Sequence, residues 1–254
     1  QAVNHSIGVM TAKDDAAQMS QGAGMTFRNN IEWLAGNYNE ARMGSSIFSY
    51  LMGYEDPRLN VYFLPMDGNA SYGVEAFNGK TYQAVPAGHA NAQNDIYKSC
   101  SKPNIQSGTP TYWLRASEVY FLRAEAALVW EGFGSADSWY KQGIDMSFQE
   151  NGVTEPVDDY MNSNLSPRAY VLSHYQYGQT LSAPCETTVK FEGTTEQKLE
   201  KIMIQKWIAL FPNGQEAWTE WRRTGYPKLN VIKTLKGAVQ GATLEGGIRR
   251  MIYP

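Results

Sequence analysis

The chain has 254 residues, enough to bury a substantial core in one domain or in one domain with an irregular subdomain. Its formal net charge is −3 and only 19% of residues are charged, so a nucleic-acid partner, which needs clustered Lys and Arg, is excluded. The only adjacent basic pairs are Arg222-Arg223 and Arg249-Arg250, and no apolar run approaches the length of a membrane span. Aromatics reach 13%, with 16 Tyr and 7 Trp, an excess that suits a filled core, interfaces or sugar-stacking surfaces. Cys100 and Cys185 lie in no CxxC or Cys/His motif; one disulfide and two free thiols both remain open. The chain opens on Gln1 with no signal peptide, so it reads as a processed or truncated piece.

In chain order, residues 1–30 are polar, Met- and Gly-rich and show little periodicity. Asn30 to Glu40 mixes Trp33 and Tyr38 with Gly36, Asn37 and Asn39, which predicts an ordered loop. Ser45 to Met52 predicts a short helix ended by Gly53 as its C′ residue, and Asp56-Pro57-Arg58 starts a new turn. From Leu59 to Pro110 a long irregular stretch carries frequent Tyr, with short strands expected at Val61–Leu64 and Tyr82–Val85.

The second half changes character. Arg115 to Glu131 is Ala-rich and free of Gly and Pro, which predicts an amphipathic helix stopped by Gly132 and Gly134. Ser135 or Asp137 caps a second helix running to Gly152, so the two form a helical hairpin, the unit from which TPR-type arrays are built. Thr194-Thr195 opens a further helix over Glu196 to Phe211, closed by Pro212-Asn213-Gly214. Gln215 to Arg223 predicts a last short helix, and Lys228 to Pro254 reads as loop. Along these helices Glu118 and Glu125 are expected to cap or to pair with Arg115 and Arg123, and Glu220 with Arg223. The pairs Trp207/Phe211 and Trp218/Trp221 are expected to face the core.

Catalytic patterns are absent. His5, His89 and His174 are scattered, and there is no HExxH, GxSxG, P-loop, GxGxxG or calcium loop. The carboxylate pairs Asp14-Asp15 and Asp158-Asp159 read as solvated surface, although a glycosidase would need two carboxylates joined in space. No catalytic or metal-binding residue and no cofactor is predicted.

Several segments resemble signature stretches of the SusD/RagB superfamily, in particular its second SusD-like subfamily. The strongest is Ile204-Gln205-Lys206-Trp207-Ile208-Ala209-Leu210-Phe211-Pro212-Asn213-Gly214-Gln215-Glu216-Ala217-Trp218, continuing into Trp221-Arg222-Arg223-Thr224-Gly225-Tyr226-Pro227. Tyr112 to Leu128, Asp56-Pro57-Arg58-Leu59 and Arg249 to Pro254 add to it, whereas Val129-Trp130 departs from an expected Gly-Trp and Ala87-Gly88 falls in a variable loop. The resemblance implies a mainly α, TPR-like helical scaffold with a loop-rich ligand-binding face. It implies one incomplete SusD-like domain, loop-rich over 1–110, helical over 111–227 and loop-like over 228–254. It further implies a surface-exposed outer-membrane lipoprotein of Bacteroidetes, about half of which is this chain. Its lipidated Cys would precede Gln1, and its partner would be a SusC-like TonB-dependent transporter.

Family ligand sites lie in variable loops, so the site residues are read from chemistry alone. Trp33, Tyr38, Tyr62, Tyr72, Tyr82 and Tyr97 are the candidate ligand-stacking residues, with Asn37, Asn94 and Asp95 as hydroxyl-bonding neighbours. Each also fits a role in loop packing. Glycan or oligosaccharide capture is the leading function; capture of peptides or another nutrient, a helical scaffold without small ligand, and a glycoside hydrolase are the alternatives.

Overall fold

The computed structural model describes residue 5 and residues 8–67, 75–86, 97–173 and 178–231. Tyr72, Asn94, Asp95, His89, His174, Ala87-Gly88 and Arg249–Pro254 lie outside them. The elements are β1 (Ala16–Met19), α1 (Asn30–Gly36), α2 (Ser45–Gly53), α3 (Leu59–Tyr62), β2 (Glu75–Phe77) and β3 (Lys80–Tyr82). They continue with β4 (Thr111–Arg115), α4 (Ala116–Val129), α5 (Ala136–Glu150), α6 (Val157–Met161), β5 (Tyr170–Leu172), β6 (Gln179–Leu181), α7 (Thr195–Ala209) and α8 (Gly214–Thr224). The fold is mainly α. Two compact units interleave along the chain: Gln1–Asn29, Gln106–Leu165 and Thr187–Pro227 form one, and Asn30–Ile105, Ser166–Glu186 and Lys228–Pro254 the other.

The first unit is helical. Gly132 and Gly134, at φ +83° and +84°, turn α4 into α5, and the Ser135 hydroxyl accepts from the Ser138 N–H to cap α5. The far end of the hairpin is closed in trans: the Glu150 carboxylate at the end of α5 accepts from the Ser117 N–H at 2.9 Å and hydroxyl at 2.6 Å. Close helix contact comes from Gly143, whose Cβ would meet the Phe121 ring at 2.8 Å. Phe121, Tyr140, Ile144 and Phe148 then line the core with Ile202, Ile204 and Ile208 of α7. Thr194 and Gln197 form a reciprocal capping box at the start of α7, and Asn213 caps α8. Gly225, at φ +75°, ends α8 in the left-handed region. One feature had no periodic signal: β1 pairs antiparallel with β4, with a register shift between Ala17 and Gln18.

Charge, not only apolar contact, joins α4, α7 and α8. Lys206, with 2% of its side chain exposed, sits 3.5 Å from Glu118 and 3.4 Å from Glu220. Arg223 pairs with Glu220 at 2.7 Å, as expected, and binds Glu125 through two hydrogen bonds. The expected pairing of Glu118 and Glu125 with Arg115 and Arg123 is therefore corrected. Arg115 instead pairs with Glu150, and the Arg123 guanidinium lies over the Trp139 ring. Both glutamates face cations on other helices: Glu118 is turned inward and Lys206 is buried with it, whereas the Arg223 that holds Glu125 is 46% exposed. Burial pushes the Glu118 carboxyl up to about 6 even though Lys206 pulls it down. At Glu220 burial acts upward, but the Arg223 hydrogen bonds and Lys206 outweigh it and leave the group low.

The core placement expected for Trp218 is also corrected. Trp218 stacks on Trp221 at 5.2 Å but remains 48% exposed, and the one buried residue of α8 is Glu220. Trp207 and Phe211 are half-buried.

In the second unit, α2 carries Phe48, Tyr50, Leu51 and Met52 into the core. Gly53 belongs to the helix and is not its left-handed C′ residue; the following Tyr54 stays right-handed. Glycine is required for another reason: a Cβ would lie 2.5 Å from the Ser166 carbonyl oxygen and 2.6 Å from the Pro167 Cα. Beyond it, Asp56 and Arg58 form an ion pair with both side chains fully buried, and the Asp56 carboxylate also accepts from the Arg58 N–H. The turn fixed by that pair leads into α3, whose N-cap Arg58 makes no side-chain cap, where a strand was expected at Val61–Leu64; only Phe63 makes a bridge, to Pro103. The Tyr82–Val85 strand is likewise displaced, with Tyr82 ending the β2–β3 hairpin and Val85 bridging Gly44. Asn30–Gly36 is helical where an ordered loop was expected, its N–H groups finding carbonyl partners within one turn. The hairpin β5–β6 places Tyr170 edge-on to Phe48 at 5.2 Å. Both cysteines are free thiols, Cys100 buried and Cys185 half-buried, and burial pushes the Cys100 thiol up to about 12.

Gly53→Ala is expected to lower the stability of the chain by about 1–3 kcal/mol, because the obstructing atoms are backbone and cannot rotate away; urea denaturation checks this. Lys206→Ala leaves two buried carboxylates without their ammonium and is expected to cost about 3–5 kcal/mol at neutral pH. The folded state holds the Glu118 proton more tightly than the unfolded chain, so ionising it opposes folding as pH rises from 4.5 to about 6. The Lys206→Ala deficit is therefore expected to shrink when denaturation is repeated below pH 6.

Candidate functional site

Two of the candidate aromatics come together, and they lie in the second unit. Trp33 belongs to α1 and Tyr38 to the turn that follows it; their ring centroids are 4.2 Å apart with planes inclined at 51°. Trp33 is half-buried, whereas Tyr38 is 57% exposed, so the pair offers a tilted aromatic corner to solvent. Asn37, between them in sequence, is exposed.

Backbone geometry sets the pair. The Asn37 and Tyr38 N–H groups both donate to the Trp33 carbonyl, at 2.9 and 3.2 Å, and the Glu40 N–H donates to the Leu34 carbonyl. Asn39 takes the left-handed conformation at φ 59°, which Asn tolerates better than most side chains. Arg42 then closes the turn: its guanidinium donates to the carbonyls of Ala35, Ala41, Tyr97 and Lys98 and to the Asn39 side-chain oxygen. Burial lowers the Arg42 pKa, with Cys100, Asp67 and Glu40 acting in the opposite sense.

The remaining described candidates pack inside. Tyr62 is 3%, Tyr82 0% and Tyr97 8% exposed, so none presents a ring face to a ligand. Their rings fill the interior of an irregular segment that has few aliphatic side chains to do so. The Tyr82 hydroxyl donates to Asn60 at 2.7 Å, and burial pushes the phenols of Tyr82 and Tyr97 up to about 12.

The other polar clusters have structural roles. Asp15 accepts from the Thr11 and Ala12 N–H groups, which hold its carboxyl below the usual range, and Asp158 pairs with Lys141 at 2.6 Å. Among the described residues no group of three His, Cys, Asp or Glu side chains gathers to hold a metal ion. A cavity of about 10 Å³ in the helical unit, lined by Trp113, Glu118, Phe211 and Asn213 among others, has room for one water and not for a sugar.

Sequence reasoning passed over the exposed aromatics of the helical unit. Trp113 is 59%, Trp130 61% and Trp218 48% exposed. Trp130 carried a usable signal, since it stands two positions before the Gly132 turn; Trp218 sits in a helix pattern that reads as core. Arg42 was missed as well, because nothing in its neighbours marks a cation that binds carbonyl groups at distant positions.

Residues 1–254 match the SusD-like family, described as SusD and RagB outer membrane lipoproteins. A SusD homologue from Bacteroides thetaiotaomicron is 34% identical with a TM-score of 0.81, the match covering 98% of this chain and 50% of that one. A homologue from Bacteroides vulgatus is 35% identical with a TM-score of 0.82, covering 98% and 49%. A chitin-binding SusD homologue from Flavobacterium johnsoniae is 32% identical with a TM-score of 0.82, covering 99% and 50%. No curated protein matches the chain. The chain thus spans about half the length of the solved relatives. With a family match along every residue and this likeness in both sequence and fold, the chain belongs to the SusD-like family.

Proposed function

We propose that this chain is part of an outer-membrane, surface-exposed, lipid-anchored binding protein that captures a glycan or oligosaccharide. In this reading it delivers the ligand to a SusC-like TonB-dependent transporter and catalyses nothing. The observation that carries the ligand class is the Trp33–Tyr38 corner, an exposed aromatic surface held rigidly by backbone hydrogen bonds. The apolar face of a pyranose stacks on such a ring, while amides such as that of Asn37 bond its hydroxyls. A chitin-binding relative of similar fold supports a sugar over a peptide.

The helical unit supplies the second element of the proposal. We read its hairpin of α4 and α5 as a TPR-type unit, and its exposed Trp113, Trp130 and Trp218 suit contacts with protein partners. We assign transporter and scaffold contacts to that unit and ligand capture to the other.

Trp33→Ala is expected to weaken binding of a chitin oligosaccharide roughly 3- to 10-fold, the worth of one aromatic stacking contact, with a melting temperature nearly unchanged. Calorimetry of the full-length protein with product analysis alongside measures both binding and turnover. Turnover of the sugar, or collapse of the melting temperature on Trp33→Ala, would overturn the reading.

A further inference from the structure

The Arg42 guanidinium is tied through backbone carbonyls to the two ends of a turn. Its Nη1 donates to the carbonyls of Ala35 at 3.3 Å and Ala41 at 2.8 Å, so it spans the whole turn that follows α1. Its Nε and Nη2 donate to the carbonyls of Tyr97 and Lys98, at 3.2 and 3.0 Å, and thereby fasten that turn to a segment more than fifty positions away. Its Nη2 also donates to the Asn39 side-chain oxygen. Asn39 is the residue whose left-handed φ of 59° reverses the chain directly after Tyr38.

The next residue anchors this clasp to the core. Met43, fully buried, donates its N–H to the Ser101 carbonyl and accepts from the Val85 N–H, both at 2.8 Å. The turn is thus suspended between a fixed floor at Met43 and the helix end at Ala35, with one side chain closing the gap. A planar guanidinium holds several acceptors in fixed directions, which a lysine ammonium does not do.

We propose that Arg42 is the positioning residue of the aromatic corner: by binding Ala35, Asn39, Ala41, Tyr97 and Lys98 together it sets the angle between Tyr38 and Trp33 before any ligand arrives. This rests on the reading that the corner binds sugar, but its structural half is independent of that reading. Preorganisation of this kind raises affinity by removing the ordering cost from the binding step. Without the clasp Tyr38 moves about Trp33, and the corner has to be ordered each time a ring docks.

The test is a spectroscopic double-mutant cycle joined to a binding assay on the full-length protein. In the parent protein Tyr38→Ala is expected to change the near-ultraviolet circular dichroism, because it removes a ring locked against Trp33. In an Arg42→Gln background the same substitution is expected to change it little, and chitohexaose is expected to bind roughly tenfold more weakly. Arg42→Lys is expected to rescue neither effect, since charge alone does not bridge the turn. Should Arg42→Gln fail to fold, Asn39→Gly takes its place: glycine accepts the left-handed conformation without strain, yet it removes one of the guanidinium's partners, and a partial loss of both signals is expected. An equal Tyr38→Ala spectral change with and without Arg42 overturns the proposal. Absence of chitohexaose binding to the parent protein overturns the sugar reading, while the spectral cycle still decides whether Arg42 sets the corner.

Discussion

A buried ammonium, that of Lys206, is the constraint on which the helical unit is arranged. Desolvating a charge costs several kcal/mol, and only partners buried with it offset that cost. Lys206 therefore requires Glu118 of α4 and Glu220 of α8 at its sides, and this requirement brings two helices to α7 at fixed rotation. Arg223 extends the arrangement by bracketing Glu220 and Glu125, which ties α8 to α4 a second time. Ion pairs of this sort contribute less to stability than a well-packed apolar core, but they admit few alternative registers. Because α8 turns Glu220 inward, Trp218 is left exposed and Trp221 half-buried, so its aromatic pair does not fill the core.

The second unit solves the same problem locally. Asp56 and Arg58 lie two positions apart, and their fully buried pair also fixes the turn that precedes α3. Arg42 is satisfied by carbonyl groups instead, so its charge goes into holding a turn. The outcome is a short helix followed by a reversed chain that presents Trp33 and Tyr38 at a fixed inclination. Under the proposed capture role, a rigid aromatic surface of this kind binds its ligand with little ordering cost. The buried tyrosines behind them, Tyr62, Tyr82 and Tyr97, do the packing that aliphatic residues perform elsewhere.

Legibility in the sequence followed the range of the interactions concerned. Helices α4, α5, α7 and α8 were readable because their signals are local: Ala-rich composition, the Ser135 and Thr194 caps, and glycine stops at Gly132 and Gly225, whereas Asn213, read only as closing α7, also caps α8. Helix α1 was not readable, since Gly36, Asn37 and Asn39 outweigh a seven-residue stretch that hydrogen bonding completes. Helix α3 was hidden by β-branched and aromatic residues that favour strands, a preference overridden by the turn that the Asp56–Arg58 pair fixes before it. Of the candidate site, the exposed Tyr38 and half-buried Trp33 were named together with three tyrosines that are buried. Tyr carries both an apolar face and a polar handle, so residue type alone does not separate the two fates.

The sequence by itself determined the family, the helical hairpin and its caps, and the absence of any local catalytic or metal motif. Those properties reside in residues close together in the chain or in long ordered signatures. Tertiary structure alone decided which chain segments share a unit, which carboxylates face Lys206, why Gly53 admits no side chain, and which aromatics remain in solvent. Each of these depends on groups tens of positions apart meeting in space, such as Arg42 with Tyr97 or Gly53 with Ser166. Burial and pairing are properties of that meeting, and no periodicity along the chain encodes them.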